Sequence, residues 1–374
     1  MHSFTLFVFS ELTDQWIVAI LMNLLFFVSF IYRKSRRFNI MPWILFLSLC
    51  VFSFWNRDYF GLREEFLDPT KKGFRDFLYP YLVDFSFDSY SVFRFYIWGA
   101  AIFAYYEVSK RFKINSNIAI YTLSIFFVLT FSYARASLGM AMFFWGFSYL
   151  IIDDQKLPVR LSKAVVLYGF AFMAHRSMAI LIAISPVAML LSLNKRNMMI
   201  LVALLPVLGV VISKVLDYSS AGGDFGGEGM ESFSKSAKSY STLKNVVEMN
   251  WKFALVSNLR TYTIYAAAVL IAYYFLKKRI NRLIPQEMKK LSIQAILIVF
   301  IAAIIAVVAL DNQFGLNVVS YRILYMAGIP LSLLLAYSYQ YNLIPPKVVN
   351  ALLIATLIYD EGWILGKILS LGII

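Results

Sequence analysis

The sequence predicts an all-α, polytopic membrane protein with about 12 transmembrane helices. Hydrophobic residues make up 60% of the 374-residue chain, and its mean hydropathy is +0.70. Charged residues make up only 15%, whereas an ordinary soluble domain has about 25%. The apolar runs show none of the alternation that marks a membrane β-barrel strand. Together these observations exclude a soluble enzyme and a disordered chain.

Twelve spans are predicted because a bilayer core is crossed by about 20 apolar helical residues. The charge-poor runs near that length are 15–32, 41–55, 91–107, 117–133, 136–152, 160–174, 177–193, 198–214, 261–276, 291–310, 318–338 and 347–366. Arg135 divides the region 117–152 into two spans. His175 and Arg176 lie inside 160–193, where a hairpin of two short spans is preferred to a single long tilted helix.

Basic residues are concentrated in alternate connections between these spans. The connections are 33–37, 110–113, 156–163, 195–196, 277–290 and Lys347, and they hold nineteen of the 35 Lys and Arg residues with four acidic residues beside them. Essentially the whole formal charge of +14 therefore lies on one side, which the positive-inside rule makes cytoplasmic. Both termini are then external. The basic balance indicates anionic membrane lipids as partners, and no nucleic acid.

Two long periplasmic loops are predicted, at 56–90 and 215–260. The first is charged and aromatic, and its charges are interpreted as mostly a solvated surface. The second begins with a Gly-rich stretch and ends at 240–255 in a pattern typical of a helix lying in the membrane interface. No repeat or domain boundary stands out, so 1–374 is predicted to be a single integral membrane domain.

Two further features concern the spacing of small residues that pair helices and the length of the last span. Gly139 is followed four residues later by Phe143, so the spacing predicts no small-residue pairing motif at that position. Asp360 and Glu361 shorten the last span, and the tail 362–374 is expected to re-enter the interface.

Charges at the ends of the spans are the candidate site. They are Arg94, Arg135, His175, Arg176 and Arg322, and the predicted topology puts all of them near the external boundary. Arg94 is interpreted as a snorkelling interface residue. The others have alternatives: Arg135 and Arg322 could pair with an acidic neighbour, His175 could bond to backbone, and Arg176 could be a loop cation. Charges at this depth are costly, so a shared cavity at the outer mouth of the bundle is favoured.

Histidine and arginine together suit one kind of chemistry. Guanidinium groups bind phosphate oxygens bidentately and stay charged. A neutral imidazole can accept a proton from an attacking hydroxyl near neutral pH. The pair therefore suits attack by a hydroxyl on a carbon whose leaving group is a diphosphate, as in lipid-linked diphosphate sugars, without a required metal or other cofactor. One cysteine and two histidines leave little for a metal site.

Three short segments resemble a known family. They are residues 132–141 (SYARASLGMA), 171–178 (AFMAHRSM) and 319–325 (VSYRILY), and Arg57-Asp58-Tyr59 is the nearest match to a fourth, Asp-containing segment. These segments are similar to the external Arg motif, the Ala-x-x-x-His-x-Ser element and the late Arg-x-x-Tyr element of EpsG-like, Wzy-type polysaccharide polymerases. The amide residues usual around the first Arg are replaced here by Ser132 and Ala136.

The resemblance implies an integral membrane glycosyltransferase of C-type architecture in the bacterial inner membrane, with its active site facing the periplasm. It would polymerise undecaprenyl-diphosphate-linked oligosaccharide repeat units into O-antigen or capsule. His175 would be the general base or orient the acceptor hydroxyl, Arg135 and Arg322 would bind the donor diphosphate, and Arg176 would assist. Further expected contacts to glycan or lipid come from a second set: Arg63, Arg75, Asp58 and Tyr325. A co-polymerase that sets chain length is implied as a partner.

Three rivals remain open. A flippase for lipid-linked oligosaccharides would need a polar path across the membrane, and the spans carry no charge in their cytoplasmic halves beyond loop-edge residues such as Glu107. A periplasmic glycan ligase would use the same chemistry with another acceptor. A membrane acyltransferase would be expected to have its His and Arg elsewhere, near an early cytoplasmic-facing span.

Overall fold

A computed structural model describes residues 2–35, 37–52, 59–68, 76–126, 134–201, 203–204, 207, 251–311 and 322–370. The regular structure of these residues is helical throughout. We number the helices α1 (His2–Tyr32), α2 (Met41–Phe52), α3 (Tyr59–Leu67), α4 (Tyr79–Asp84), α5 (Tyr90–Arg111), α6 (Ser116–Ile125), α7 (Ala134–Ile151), α8 (Leu157–Ala174), α9 (Met178–Leu190), α10 (Trp251–Leu276), α11 (Lys278–Asn281), α12 (Gln286–Asp311), α13 (Gly328–Gln340) and α14 (Pro346–Ser370). The all-α prediction is confirmed for this part of the chain.

Three helical segments are long and apolar enough to cross a membrane: Leu157–Ala174, Gln286–Ile305 and Arg322–Gln340. Six shorter apolar segments accompany them: Ile17–Tyr32, Met41–Val51, Ser116–Ile125, Met178–Leu190, Thr263–Leu276 and Pro346–Ile358. α8 leaves Val165, Val166 and Phe170 largely exposed. Water would disfavour such a surface and lipid would not, so the helices indicate a membrane protein.

Several helix ends differ from the predicted spans. α1 begins at His2, well before residue 15, and α10 begins at Trp251, so the end of the predicted loop 215–260 is continuous with the following span. α14 continues through Asp360 and Glu361 to Ser370. Residues 208–250 lie outside the described residues, and with them most of the predicted span 198–214 and of the loop 215–260.

The chain divides into two compact units, Met1–Pro186 with Gly328–Ile374, and Val187–Ala327. In the first unit α13 is buried along nearly its whole length. Tyr105 of α5 links α6 to α13. The Tyr105 hydroxyl donates to the Ala119 carbonyl of α6 at 3.2 Å and lies 3.0 Å from Ser332 Oγ of α13. On α6, the Tyr121 hydroxyl donates to Asn350 of α14 at 2.7 Å. These bonds supply partners for hydroxyls that would otherwise be buried at a cost.

α7 and α8 pack closely through small residues. A Cβ on Gly139 would lie 2.9 Å from Met178 Cγ and 3.2 Å from the Ala171 carbonyl oxygen, and one on Gly146 would lie 3.2 Å from the Ala164 carbonyl oxygen. The glycines are seven residues apart on α7, as the alanines are on α8, so both pairs lie on one helix face. The close packing therefore does not use the four-residue motif that is absent at Gly139, because the small residues recur every seven positions.

Polar contacts bring the connecting turns of the first unit to one end. Arg111, at the end of α5, contacts Asp154 beyond the end of α7 at 3.0 and 3.1 Å. Asn115, which caps α6, donates through its side chain to the Ser35 carbonyl at 3.0 Å and through its backbone to Gln340 at 2.7 Å. The basic connections near residues 33–37, 110–113 and 156–163 therefore share one end of the first unit. The start of α7 and the end of α8 lie at the other end.

The second unit is built on α10 and α12, which pack against each other. Lys290 of α12 donates to the Leu191 carbonyl at 2.7 Å and also to the Met189 carbonyl. Asn281 of α11 donates to the Leu193 carbonyl at 3.3 Å. The Met189 carbonyl belongs to the last turn of α9, where helical partners are lacking, and Leu191 and Leu193 follow directly after that helix.

Candidate functional site

The site lies where α7 begins and α8 ends. Arg135 is the second residue of α7. His175 caps α8 with φ −161° and ψ 117°, an extended conformation that ends the helix, while its N–H still bonds to the Ala171 carbonyl at 3.0 Å. A turn at His175 then starts α9, where the Met178 N–H bonds to the His175 carbonyl at 2.9 Å. The predicted break between two helices at His175 is therefore confirmed.

Asp76 is the centre of the site. Its Oδ2 lies 3.3 Å from His175 Nδ1, and its Oδ1 accepts the backbone N–H of Arg176 at 3.1 Å. Only 4% of the residue is exposed. A buried carboxylate needs such partners, and here it receives them from the turn that ends α8.

Arg135 lies between two carboxylates. Its Nη1 contacts Glu65 Oε2 at 2.9 Å and Asp76 Oδ2 at 3.8 Å. The side chains of Arg135 and Glu65 are 17% and 19% exposed, so this ion pair is partly screened by solvent. Glu65 reaches it from α3, which lies in the predicted loop 56–90.

The electrostatics of the site favour a charged Asp76. Burial by itself would raise the pKa of the Asp76 carboxyl. The hydrogen bond and charge of His175, the backbone N–H of Arg176 and the charge of Arg135 act in the opposite direction. Together they outweigh burial, and the pKa of Asp76 lies below its ordinary value.

The segment after Asp76 is fastened to the end of α8. The Leu78 N–H donates to the Met173 carbonyl at 3.2 Å. The Arg176 guanidinium carbon lies 4.9 Å from the centroid of the Phe77 ring, a cation–π distance. Phe77 also approaches Phe172, with ring centroids 6.4 Å apart. These contacts hold the Asp76 carboxyl beside His175.

Arg94 lies at this end of the unit but is not the interfacial residue that the sequence predicts. It is 3% exposed, and its Nη2 donates to the Cys50 carbonyl of α2 at 2.6 Å. The snorkelling interpretation is therefore wrong. Arg94 joins α5 to α2 inside the first unit.

The other predicted site residues are spread over the chain. Arg63 is exposed on α3, two residues from Glu65. Arg322 and the buried Tyr325 belong to the unit Val187–Ala327. Asp58 and Arg75 lie outside the described residues.

Asp76 and Glu65 were not among the residues predicted for the site. The interpretation of the 56–90 charges as a solvated surface is wrong for both of them, and the His175 ring contacts a carboxylate and not backbone. The alternative in which Arg135 pairs with an acidic neighbour is confirmed. The sequence carried only a general signal, because a charged side chain near a membrane needs a partner but its position in the sequence does not say which carboxylate supplies it.

The arrangement can accept a proton and bind an anion. The His175 imidazole supplies a nitrogen that can accept a proton. Arg135 and Arg176 supply two guanidinium groups, of which that of Arg135 contacts the Glu65 and Asp76 carboxylates. Within the described part of the chain, no three His, Cys, Asp or Glu side chains come together in a way that could hold a metal ion.

Comparison of the chain with family models, curated proteins and solved structures finds no match.

Proposed function

We propose that the protein is a polymerase of undecaprenyl-diphosphate-linked oligosaccharide repeat units. The observation that carries the proposal is that Arg135 and His175, forty residues apart in the sequence, contact the same Asp76 carboxylate. They do so at the end of the first unit that is opposite its basic connections. A proton acceptor beside a guanidinium is what glycosyl transfer from a lipid diphosphate needs.

The reaction has one bond-forming and one bond-breaking event at the same carbon. A hydroxyl of the acceptor repeat unit attacks the anomeric carbon of the growing glycan, and its proton passes to the His175 imidazole. The bond between that carbon and the lipid diphosphate breaks, and the diphosphate leaves with its charge. Arg135 and Arg176 stabilise that charge.

Arg135 can serve the diphosphate only by leaving Glu65. An ion pair with partly exposed side chains contributes on the order of 0.2–1 kcal/mol, so its exchange is inexpensive. A diphosphate carries more charge than a carboxylate and can accept two hydrogen bonds from one guanidinium. We therefore propose that the donor diphosphate replaces Glu65 on Arg135.

We further propose where the site lies in the membrane and what else contacts the substrates. The protein would cross the bacterial inner membrane with twelve helices, and the site would face the periplasm. The glycans or the second lipid would be contacted by Arg63, Arg75, Asp58 and Tyr325. A chain-length-regulating co-polymerase would be the protein partner.

Substitution in cells whose surface polysaccharide depends on this protein tests the proposal. His175→Ala and Arg135→Ala should leave the protein in the membrane while the cells display single repeat units in place of long chains. His2→Ala removes the chain's other imidazole, and Arg37→Ala removes an exposed cation from the opposite end. Both controls should keep the normal ladder of chain lengths. A normal ladder in His175→Ala or Arg135→Ala would remove that residue from the mechanism.

A further inference from the structure

The orientation of the His175 ring is set by a residue that the sequence did not single out. That residue is Asp76, which makes two contacts at the end of α8. Asp76 Oδ2 lies 3.3 Å from Nδ1 of the ring, and Asp76 Oδ1 is held by the Arg176 N–H at 3.1 Å. The carboxylate therefore contacts both the side chain of His175 and the backbone of the residue that follows it.

We infer that Asp76 is a positioning residue that holds neutral His175 with its hydrogen on Nδ1 and leaves Nε2 as the atom that accepts the proton. This inference rests on the proposed function, because it concerns the base of that reaction. It adds Asp76 to the proposed active site and names Nε2 of His175 as the nitrogen that accepts the proton.

The donor and acceptor inventory carries the argument. An ionised carboxylate has only acceptor oxygens, so its contact with Nδ1 is attractive only when Nδ1 bears a hydrogen. A neutral imidazole has one N–H, and Nε2 then has the free lone pair. The low pKa of Asp76 keeps the carboxylate ionised at neutral pH.

Other charges near the ring agree with this arrangement. Arg135 lies 3.8 Å from the same Asp76 oxygen and so favours the ionised carboxylate. Glu65 pairs with Arg135 at 2.9 Å and holds it in place. Arg176 follows His175 in the chain, and its side chain stacks on Phe77. Among the residues that the structure describes, Asp76 is the anion shown in direct contact with the ring.

The chain has two histidines, so one substitution is enough to make the His175 ring the single source of the imidazole nitrogen signals. His2→Gln leaves His175 as the single imidazole of the 374-residue chain. Nitrogen NMR of ¹⁵N-histidine-labelled His2→Gln protein in detergent micelles, with the ring neutral, reports which nitrogen carries the hydrogen. We expect hydrogen on Nδ1 and a bare Nε2. Hydrogen on Nε2 and a bare Nδ1 would overturn the inference, and this result needs no other variant to fold.

Variants of Asp76 test whether its carboxylate is what places the hydrogen of His175 on Nδ1. Asp76→Asn in the His2→Gln background should shift the population toward hydrogen on Nε2, and Asp76→Glu should restore part of the original tautomer. Asp88→Asn makes the same change in an exposed residue of the same segment, where φ is 56° and Asn is tolerated, and should leave the tautomer unaltered. An Asp76→Asn spectrum identical to that of Asp88→Asn would refute the positioning role.

Turnover separates this inference from the proposed function. With a lipid-linked repeat unit as substrate, Asp76→Asn should lower kcat about 10²- to 10⁴-fold and leave KM nearly unchanged. If the expected tautomer is found but the parent protein elongates no glycan, the proposed function fails while the positioning role stands. If the parent elongates glycan but the tautomer is the other one, the positioning role fails alone.

Discussion

At the scale of single residues, the structure shows why a charged side chain near a membrane has to be considered together with its partner. Arg135 and His175 are recognisable in the sequence because they interrupt apolar runs. Their partners are not, because Glu65 is 70 residues from Arg135 and Asp76 is 99 residues from His175. Sequence spacing carries no information about contacts at such separations. The residue types of the site could therefore be predicted, but its two carboxylates could not.

The low pKa of Asp76 makes its contribution to stability dependent on pH. A carboxyl whose pKa is lower in the folded protein stabilises the fold above its ordinary value of 3.8 and loses that effect as the pH falls through the folded pKa. Asp76→Asn should therefore lower the free energy of unfolding by about 1–3 kcal/mol at pH 7, and by progressively less as the pH falls from 3.8 through the lower pKa of the folded protein. Unfolding midpoints of both proteins in detergent, measured against pH, check this. A deficit of the same size at every pH would contradict it.

Glu65 should compete with anions for Arg135. Glu65→Gln removes the carboxylate that contacts Arg135 at 2.9 Å, whereas Glu64→Gln removes an exposed neighbour on the same helix. We expect Glu65→Gln to bind pyrophosphate about two- to fivefold more tightly than the parent protein, since a partly exposed ion pair is no stronger than that. Titration calorimetry in detergent measures the affinities. Equal affinities in the Glu65 and Glu64 variants would show that Glu65 does not restrain Arg135.

At the scale of elements, the positions of helix breaks could be predicted and the packing of the helices could not. Arg135 and His175 lie next to a helix start and a helix end because a charged side chain disfavours the apolar core. The contact between α7 and α8 depends instead on Gly139 and Gly146, whose spacing of seven residues resembles an ordinary heptad position. The extensions of α1 to His2 and of α14 to Ser370 include polar residues that helices outside a lipid core tolerate.

The α7–α8 contact should be sensitive to one methyl group. A Cβ at Gly139 would lie 3.2 Å from the Ala171 carbonyl oxygen and 3.3 Å from His175 Cβ, so backbone has to move. Gly139→Ala should destabilise the protein by about 1–3 kcal/mol. Gly169→Ala in α8 is the matched control, because no atom lies within 4 Å of its new Cβ and alanine favours helix. Thermal unfolding in detergent compares the two, and equal midpoints would contradict the close packing.

At the scale of the whole molecule, composition and apolar runs were enough to predict the fold class. A helical membrane protein follows from few charges and many runs of spanning length, and both are properties of the sequence alone. The division into two units could not be predicted, because Gly328–Ile374 joins the first unit across some 140 intervening residues, Val187–Ala327. The basic connections of the first unit lie at one end of it. This arrangement could be predicted, because the distribution of Lys and Arg among the loops governs how helices are oriented in a membrane.

Our central proposal is that His175 and Arg135, assembled on Asp76, transfer a glycan from a lipid diphosphate. The most direct measurement incubates the purified full-length protein with a defined lipid-linked repeat unit and no nucleotide sugar, and compares it with His2→Gln and His175→Gln. We expect a ladder of elongated lipid-linked products from the parent and His2→Gln proteins, and none from His175→Gln. Unchanged lipid that merely crosses vesicle membranes, or a ladder that persists in His175→Gln, would contradict it.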